Sequence, residues 1–423
     1  VPQSSRVEID RSATAARIEA DVETLAGPRF TSSDTAIRRY AYIDAYENTL
    51  AYFADALREV GFTVSYDAVG TLVARNRPAG EPVFGLGSHC DSNRNGGKYD
   101  GTLGVVTALE VCRLNHELEL DLPLQVISFL EEEGSGFGQM LLGSRIMAQR
   151  IDEEDLRDRF RSRDDGRSFW DHAREAGHHP EAWRESENIL DDVVGWIELH
   201  IEQGRVLQDS GHRLGVVTAI AGYIHGDLTL HGRADHAGAT PMNYRLDVAP
   251  AVAEIVLEVE RLALAAGADT VATVGEVALE PGLINVVPGK ARLSLDTRGV
   301  SESAFAAVAR DAQAFAGSTA AKRGLRAEYQ ERQRAPVTPM DDAIVRALDG
   351  AAAATGVSYM HMPSGAAHDT MFVAEFVPTA MVFVPCRDGV SHSPKEDADP
   401  ADAAVAAEVI LNAVGDLLAE TAG

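Results

Sequence analysis

The chain has 423 residues, 45% of them apolar and 24% charged, enough to bury the core of one large domain or two ordinary ones. Its formal net charge of -27 argues against nucleic acid and anionic membrane as partners, since both would be repelled, and no apolar run approaches the roughly 18 residues of a membrane span. Three cysteines, Cys90, Cys112 and Cys386, are too few for a disulfide framework and no secretion signal is evident at the N-terminus, so a cytoplasmic home is expected.

In chain order, helical periodicity runs through residues 13–25 and 43–60, where apolar side chains recur every three to four positions. Short apolar runs at 62–66, 71–74 and 82–86 read as strands, 103–114 as a helix and 123–130 as a buried strand. This alternation predicts an α/β fold with a largely parallel or mixed sheet covered by helices on both faces. In such sheets ligands gather beyond the carboxyl ends of the strands. Residues 150–192 are polar and highly charged and read as surface helices and loops, with His172, His178 and His179 placed in solvent. Strands are expected at 193–197 and 380–384, and the Ala-rich stretch at 351–354 reads as helix.

The style changes between residues 215 and 331. Strands at 224–231, 270–278, 291–296 and 325–330 alternate with helices at 248–265 and 302–315 in the order β-α-β-β-α-β of a ferredoxin-like unit. The unit is inserted, because the earlier style returns after it. The expected organisation is a catalytic domain in two parts, 1–214 and 332–423, with residues 215–331 between them.

Four strand ends carry the chemistry. After the strand at 82–86 comes Gly87-Ser88-His89-Cys90-Asp91, and a glycine-rich turn then brings Asp100 back towards His89. Imidazole and carboxylate are ligands for zinc and similar ions, and Asp91 is placed to orient the imidazole from behind. By itself this pattern reads equally as a structural turn. Cys90, between the two, points the other way by alternation and reads as packing. Glu131-Glu132-Glu133-Gly134 follows the strand at 123–130. Three adjacent carboxylates at a buried strand end repel one another unless a cation compensates, and one left unligated can act as a general base; a solvated acidic loop is the bland alternative. Glu198-Leu199-His200-Ile201-Glu202-Gln203-Gly204 and Gly389-Val390-Ser391-His392 complete the set. A lone histidine at such a place is usually structural, but four metal-competent strand ends together point to a metal centre.

These segments carry a resemblance. GSHCDSNRNGGKYDG, EEEG, ELHIEQG, ADHAGATPM, PGLINVVPG, Asp296-Thr297-Arg298, SGAAHD and GVSHSPKE occur in the order found in the zinc-dependent amidohydrolases that include N-carbamoyl-L-amino acid hydrolases, β-ureidopropionases and allantoate amidohydrolases, relatives of the M20 metallopeptidases. The resemblance spans nearly the whole chain. It implies a dinuclear metallopeptidase-like catalytic domain with an inserted lid and dimerisation domain, and hence a homodimer. It further implies that His89, Asp100 and His200 hold one divalent ion and that Asp100 bridges to a second, completed by Glu133 and His392. Zinc is the foremost candidate, with manganese, cobalt or nickel also accepted by such ligands. Glu132 would be the general base and His236 the group that stabilises the oxyanion, reaching the active site of the neighbouring subunit, which again implies a homodimer. Asn285 and Arg298 would bind the substrate carboxylate, with Gln203 and His368 further along the pocket. His200 within ELHIEQG favours the carbamoyl-cleaving branch. One departure is Gly136, where relatives often carry arginine.

The expected activity is metal-dependent hydrolysis of the carbamoyl (ureido) C–N bond of a small carboxylate such as an N-carbamoyl-L-amino acid, releasing amine, CO2 and ammonia. Rivals are an allantoate or ureido-acid amidohydrolase of purine breakdown, an aminoacylase or dipeptidase, and, outside enzymes, a metal-free binding protein.

Overall fold

A computed structural model describes residues 6–421. The chain divides into two compact units. The first contains the residues up to Thr218, Met340–Met362 and those from Ala367 onward; the second contains Ala219–Pro339 and Pro363–Ala366.

The first unit is built on a mixed sheet. Its early strands are β1 (Thr63–Tyr66), β2 (Leu72–Arg75), β3 (Val83–His89), β4 (Leu124–Phe129), β5 (Val193–Ile201) and β6 (Leu214–Ile220). The spatial order is β1-β2-β4-β3-β5, then the late strand Thr379–Val384, then β6. The central four, β4, β3, β5 and Thr379–Val384, run parallel, while β1, β2 and β6 pair antiparallel at the flanks. Every residue of β3, β4 and Thr379–Val384 is buried, as expected of parallel strands covered on both faces. Helices Arg11–Leu25, Thr102–Glu117, Asp342–Thr355 and Pro400–Thr421 pack among themselves and against the sheet. A separate cluster of Val83, Ile127, Phe129, Met147, Leu190, Trp196 and Val373 is also buried here. Within it the fully buried Trp196 meets Phe129 edge to face and donates its indole N–H to Thr370 Oγ1 at 2.8 Å.

Most expected elements of this unit are present with ends shifted by a few residues. The segment at 150–192 departs from expectation. His172 and His178 are half-buried, stacked and tilted against Tyr42, and only His179 is exposed. The cause is an aromatic cluster of Tyr42, Phe137 and Phe169 that draws the imidazoles inward. Burial pushes the His178 pKa down.

In the second unit β7 (Gly222–His231) is followed by β8 (Asp235–His236), β9 (Thr270–Thr273), β10 (Val277–Glu280), β11 (Val286–Val287), β12 (Lys290–Gly299) and β13 (Arg326–Ala335). The sheet order is β10-β12-β7-β13, with β9 also on β12, and all of these pairs are antiparallel. This is the strand order of a ferredoxin-like sheet. Burial alternates along β7 and β12, because one face packs on helices Ala249–Ala266 and Glu302–Lys322 through Leu228, Leu230, Leu293 and Leu295. The strand expected at 270–278 is two strands. The ladder breaks at Gly275, where Ser294 Oγ accepts the Glu276 N–H at 2.9 Å in place of a backbone partner.

Candidate metal centre

The parallel strands end at one edge of the first unit's sheet, and their ends bring the reactive side chains together. His89 is the last residue of β3 and is buried. Its Nδ1 lies 3.2 Å from the Asp91 carbonyl oxygen and 3.4 Å from Asp91 Oδ1, so Nδ1 carries the proton and Nε2 presents a lone pair. His200, on β5, has Nδ1 at 2.9 Å from the Ile201 carbonyl oxygen, which fixes the same tautomer. The two Nε2 atoms face each other at 3.5 Å, with Asp100 Oδ1 3.1 Å from His200 Nε2 and 3.9 Å from His89 Nε2. Two lone pairs and a carboxylate oxygen at this range repel unless a cation sits among them, so the donor set fits a divalent ion.

Asp100 is steered into place by Glu396, whose Oε1 accepts the N–H groups of Tyr99 and Asp100 at 2.8 and 2.9 Å. The next residue, Gly101, has φ +60°, and a Cβ there would run into the His89 ring; glycine is required for the close approach. Asp100 Oδ2 faces a second group. It lies 3.3 Å from His392 Nε2, which is 3.4 Å from Glu133 Oε2, and it accepts hydrogen bonds from Gln203 Nε2 at 2.9 Å and Ser391 Oγ at 2.8 Å. His89, Asp100 and His200 thus form one potential ligand set and Asp100, Glu133 and His392 another, sharing Asp100. Both His392 and Gln203 hold positive φ, 54° and 58°, a strain that clusters at functional positions. Glu198, His200 and His368 also lie close together, but Glu198 is consumed by Ser88 Oγ and by Thr370 N and Oγ1, which makes it a structural acceptor.

The three glutamates separate by contact. Glu131 turns away at φ 55° and accepts the N–H groups of Ala41 at 3.0 Å, Phe137 at 2.9 Å and Gly136. Gly136 is thereby explained, since a Cβ there would approach Glu131 Oε1 to 2.9 Å. Glu132 places Oε2 3.8 Å from His89 Nε2, and Glu133 joins His392. The Asp91 carboxylate accepts the N–H groups of both Glu132 and Glu133 at 3.0 Å, so one side chain braces the imidazole and the glutamate loop.

The electrostatics favour a positive charge at this centre. Burial pushes the Glu132 carboxyl well above its usual range, Glu133 and Glu396 to about 7, and Glu131 and Asp369 to about 8. Burial also opposes protonation of His89, but Glu132 and Asp91 outweigh it and raise the imidazole well above its ordinary pKa. The hydrogen bond to Asp100 raises His392 to about 9. Asp100 alone is held well below the carboxylate range, where His200 and His392, when protonated on both ring nitrogens, overcome burial. Protons here occupy the positions that divalent ions suit better.

His368 is buried, with its ring 4.6 Å from that of His200 and inclined to it by 62°. Burial and the neighbouring His200 keep it neutral, with a pKa well below the ordinary value. Glu396 and Ser391 were not singled out in the sequence, although both lie in the segment around His392; the only signal was their place in that motif. In the second unit His236 is exposed on β8, and its Nδ1 accepts the N–H groups of Gly238 and Ala239 at 3.1 Å. Its Nε2 therefore carries the proton and is a donor. Asn285 is exposed and accepts the Ala237 N–H on its backbone carbonyl at 2.9 Å, and β11 beside it pairs with β8. Arg298 is half-buried on β12 and is gripped by Asp296.

The sequence profile of Peptidase family M20/M25/M40 matches residues 85–416. An N-carbamoyl-L-amino acid amidohydrolase of Geobacillus stearothermophilus is 37% identical over 86% of this chain and 89% of its own. An allantoate amidohydrolase of Bacillus subtilis is 33% identical over 86% of this chain and 89% of its own. Among solved structures, an amidase of the hydantoinase/carbamoylase family from Burkholderia phymatum superimposes with a TM-score of 0.86 at 30% identity, covering 99% of this chain and 100% of that one.

Proposed function

The chain belongs to peptidase family M20/M25/M40 and within it to the hydantoinase/carbamoylase amidases, and on that basis we propose that it hydrolyses the carbamoyl C–N bond of a small ureido carboxylate. The observation that carries the reading is the shared Asp100 between two imidazole-bearing ligand sets, with the Glu132 carboxyl beside them. His89, Asp100 and His200 would hold one divalent ion and Asp100, Glu133 and His392 the other, with zinc the foremost candidate. When bound, the pair would polarise the carbonyl and lower the pKa of an attacking water.

The chain's own residues do the rest. Glu132 takes a proton from the water as it attacks the carbamoyl carbon, and burial raises the proton affinity of this carboxyl in the direction a general base needs. The same proton then passes to the leaving nitrogen, the C–N bond breaks, and the products are the free amine and carbamic acid, which decomposes to CO2 and ammonia. His236, a donor at Nε2, is proposed to stabilise the oxyanion in the active site of a neighbouring subunit, and Asn285 and Arg298 to hold the substrate carboxylate. Gln203 is proposed to serve the pocket from its hydrogen bond to Asp100, and His368 as a neutral group beside His200.

A panel of N-carbamoyl-L-amino acids, N-carbamoyl-β-alanine, allantoate and N-acyl amino acids, assayed for ammonia and for free amine, tests the proposal. Ammonia is expected from at least one ureido acid and not from the acyl compounds. Acyl cleavage without ammonia release would place the chain with the aminoacylases instead.

We also propose a homodimer formed through the second unit, as a lid and dimerisation domain. Leu257 and Leu264 are exposed seven residues apart, on one face of helix Ala249–Ala266, and Leu283 and Ile284 are exposed beyond β10; this exposed apolar surface supports the reading. Sedimentation velocity is expected to show a dimer, and Leu264→Glu to shift it towards monomer; a monomeric parent protein would overturn the assignment. Among the described residues no helix is long and apolar enough to cross a membrane. The three cysteines are buried and unbridged, which supports a cytoplasmic home, and cell fractionation would test it.

A further inference from the structure

The open face of the second unit's sheet carries a side-chain arrangement centred on the Asp296-Thr297-Arg298 triplet. Register places Tyr223 of β7 opposite Arg298 of β12 and His225 opposite Asp296, so all four side chains share one face. Asp296 grips Arg298 side-on. Arg298 Nε donates to Asp296 Oδ1 at 2.9 Å and Oδ2 at 3.1 Å, and Nη2 donates to Oδ2 at 2.8 Å. On its other side Asp296 Oδ1 lies 3.3 Å from His225 Nε2, and His225 stacks on Tyr223 with ring centroids 4.5 Å apart. Tyr223 in turn takes a hydrogen bond from Gln333 at 2.8 Å on its hydroxyl, and Arg298 Nη1 donates to the Gly365 carbonyl at 3.1 Å.

Arg298 keeps part of its hydrogen-bonding capacity unused. A guanidinium has five N–H groups. Nε and one N–H of Nη2 go to Asp296 and one N–H of Nη1 goes to Gly365, so two remain without a hydrogen-bond partner among the described residues. One of these is on Nη1 and the other on Nη2, the two atoms that make up the end-on edge of the fork, which pairs with both oxygens of a carboxylate. We propose that Asp296, itself pinned by His225, is a positioning residue that fixes the guanidinium plane of Arg298 so that the Nη1/Nη2 edge is presented to the carboxylate of the substrate. Asp296 stays ionised for the task. Burial opposes this, but the nearby His225 and the hydrogen bonds from Arg298 hold its pKa at about 2. A fork locked in its bound orientation gives up less freedom when the ligand arrives. The inference rests on the carboxylate-binding reading of Arg298 given above.

The test compares an N-carbamoyl amino acid with its neutral C-terminal amide, on Arg298→Ala, Asp296→Asn and His225→Gln holoenzymes. Arg298→Ala is expected to raise KM for the acid by about a hundred-fold and to leave the amide nearly unchanged. Asp296→Asn is expected to raise KM for the acid by about ten-fold with kcat within about two-fold, because the fork remains but is no longer aimed. Asp296→Glu should recover part of the loss. His225→Gln removes only the outer pin and should raise KM by less. If Arg298→Ala leaves acid and amide equally served, the carboxylate reading of Arg298 is wrong. If Arg298→Ala discriminates but Asp296→Asn and His225→Gln both keep the parent KM, the positioning role is overturned. Equal loss on acid and amide in Asp296→Asn likewise overturns it. Should Asp296→Asn fail to fold, the KM of His225→Gln for the acid decides: a rise supports the positioning role and the parent value overturns it.

Discussion

Glu132→Gln is expected to lower kcat by about a thousand-fold while leaving two metal ions bound per chain. The amide has nearly the same shape, and the bond from the Glu132 N–H to Asp91 Oδ1 is a backbone bond that the substitution does not touch. What the variant loses is the ability to accept a proton. Glu132 belongs to neither of the two ligand sets that share Asp100, so inductively coupled plasma analysis should report unchanged metal content. Activity within about ten-fold of the parent would remove Glu132 from the role of base. Loss of metal in step with activity would make it a ligand. The neighbouring Glu131→Gln should behave differently. Its carboxyl caps the N–H groups of Ala41, Gly136 and Phe137, so the expected damage is to thermal stability.

Removing the metal ions with a chelator is expected to abolish turnover and to make stability fall steeply with rising pH. Burial raises Glu133 and Glu396 from 4.5 to about 7 and Glu131 from 4.5 to about 8, and it raises Asp369 from 3.8 to about 8. For an acid whose folded pKa lies above its unfolded value, the stabilisation is complete below the unfolded pKa and is lost as pH climbs through the folded one. His392, raised from 6.5 to about 9 by its hydrogen bond to Asp100, follows the same sign and loses its contribution as pH passes 9. Asp100 has the opposite sign, but its pKa lies well below the carboxylate range and affects only acid conditions. The metal-free protein should therefore melt at progressively lower temperature between pH 6 and pH 9. Restoring a divalent ion supplies the positive charge by other means and should lift and flatten the curve. A metal-free melting temperature that is constant or rises over this window would contradict the charge balance described for the centre.

The strand ends were legible because buried parallel strands have a plain signature. β3, β4, β5 and Thr379–Val384 are mostly apolar runs with histidines and carboxylates in or just after their last residues or in the loop that follows, and ligands collect beyond the carboxyl ends of such strands. Glu396 was not legible in the same way. Its hold on the backbone of Tyr99 and Asp100 joins positions almost 300 residues apart, and no local periodicity encodes that pairing. The break at Gly275 and the inward turn of His172 and His178 were hidden for a related reason, since a Ser294 hydroxyl and the Tyr42 ring decide them from elsewhere in the chain.

Residue types and their order along the chain were enough to name the chemistry: histidines and carboxylates at strand ends, a run of glutamates too crowded to stand without a cation, and an arginine suited to a carboxylate. Tertiary structure assigned the work among chemically identical neighbours. Three consecutive glutamates differ only in which way the backbone turns them, and it is the N–H groups of Ala41 and Phe137 that take Glu131 away and the Asp91 carboxylate that holds the loop presenting Glu132 and Glu133. Likewise the pairing of β7 with β12 sets Asp296 and His225 beside each other. Side-chain chemistry is a local property of the chain, whereas the direction in which a donor or acceptor points depends on hydrogen bonds and register between distant segments, which exist only once the sheet has formed.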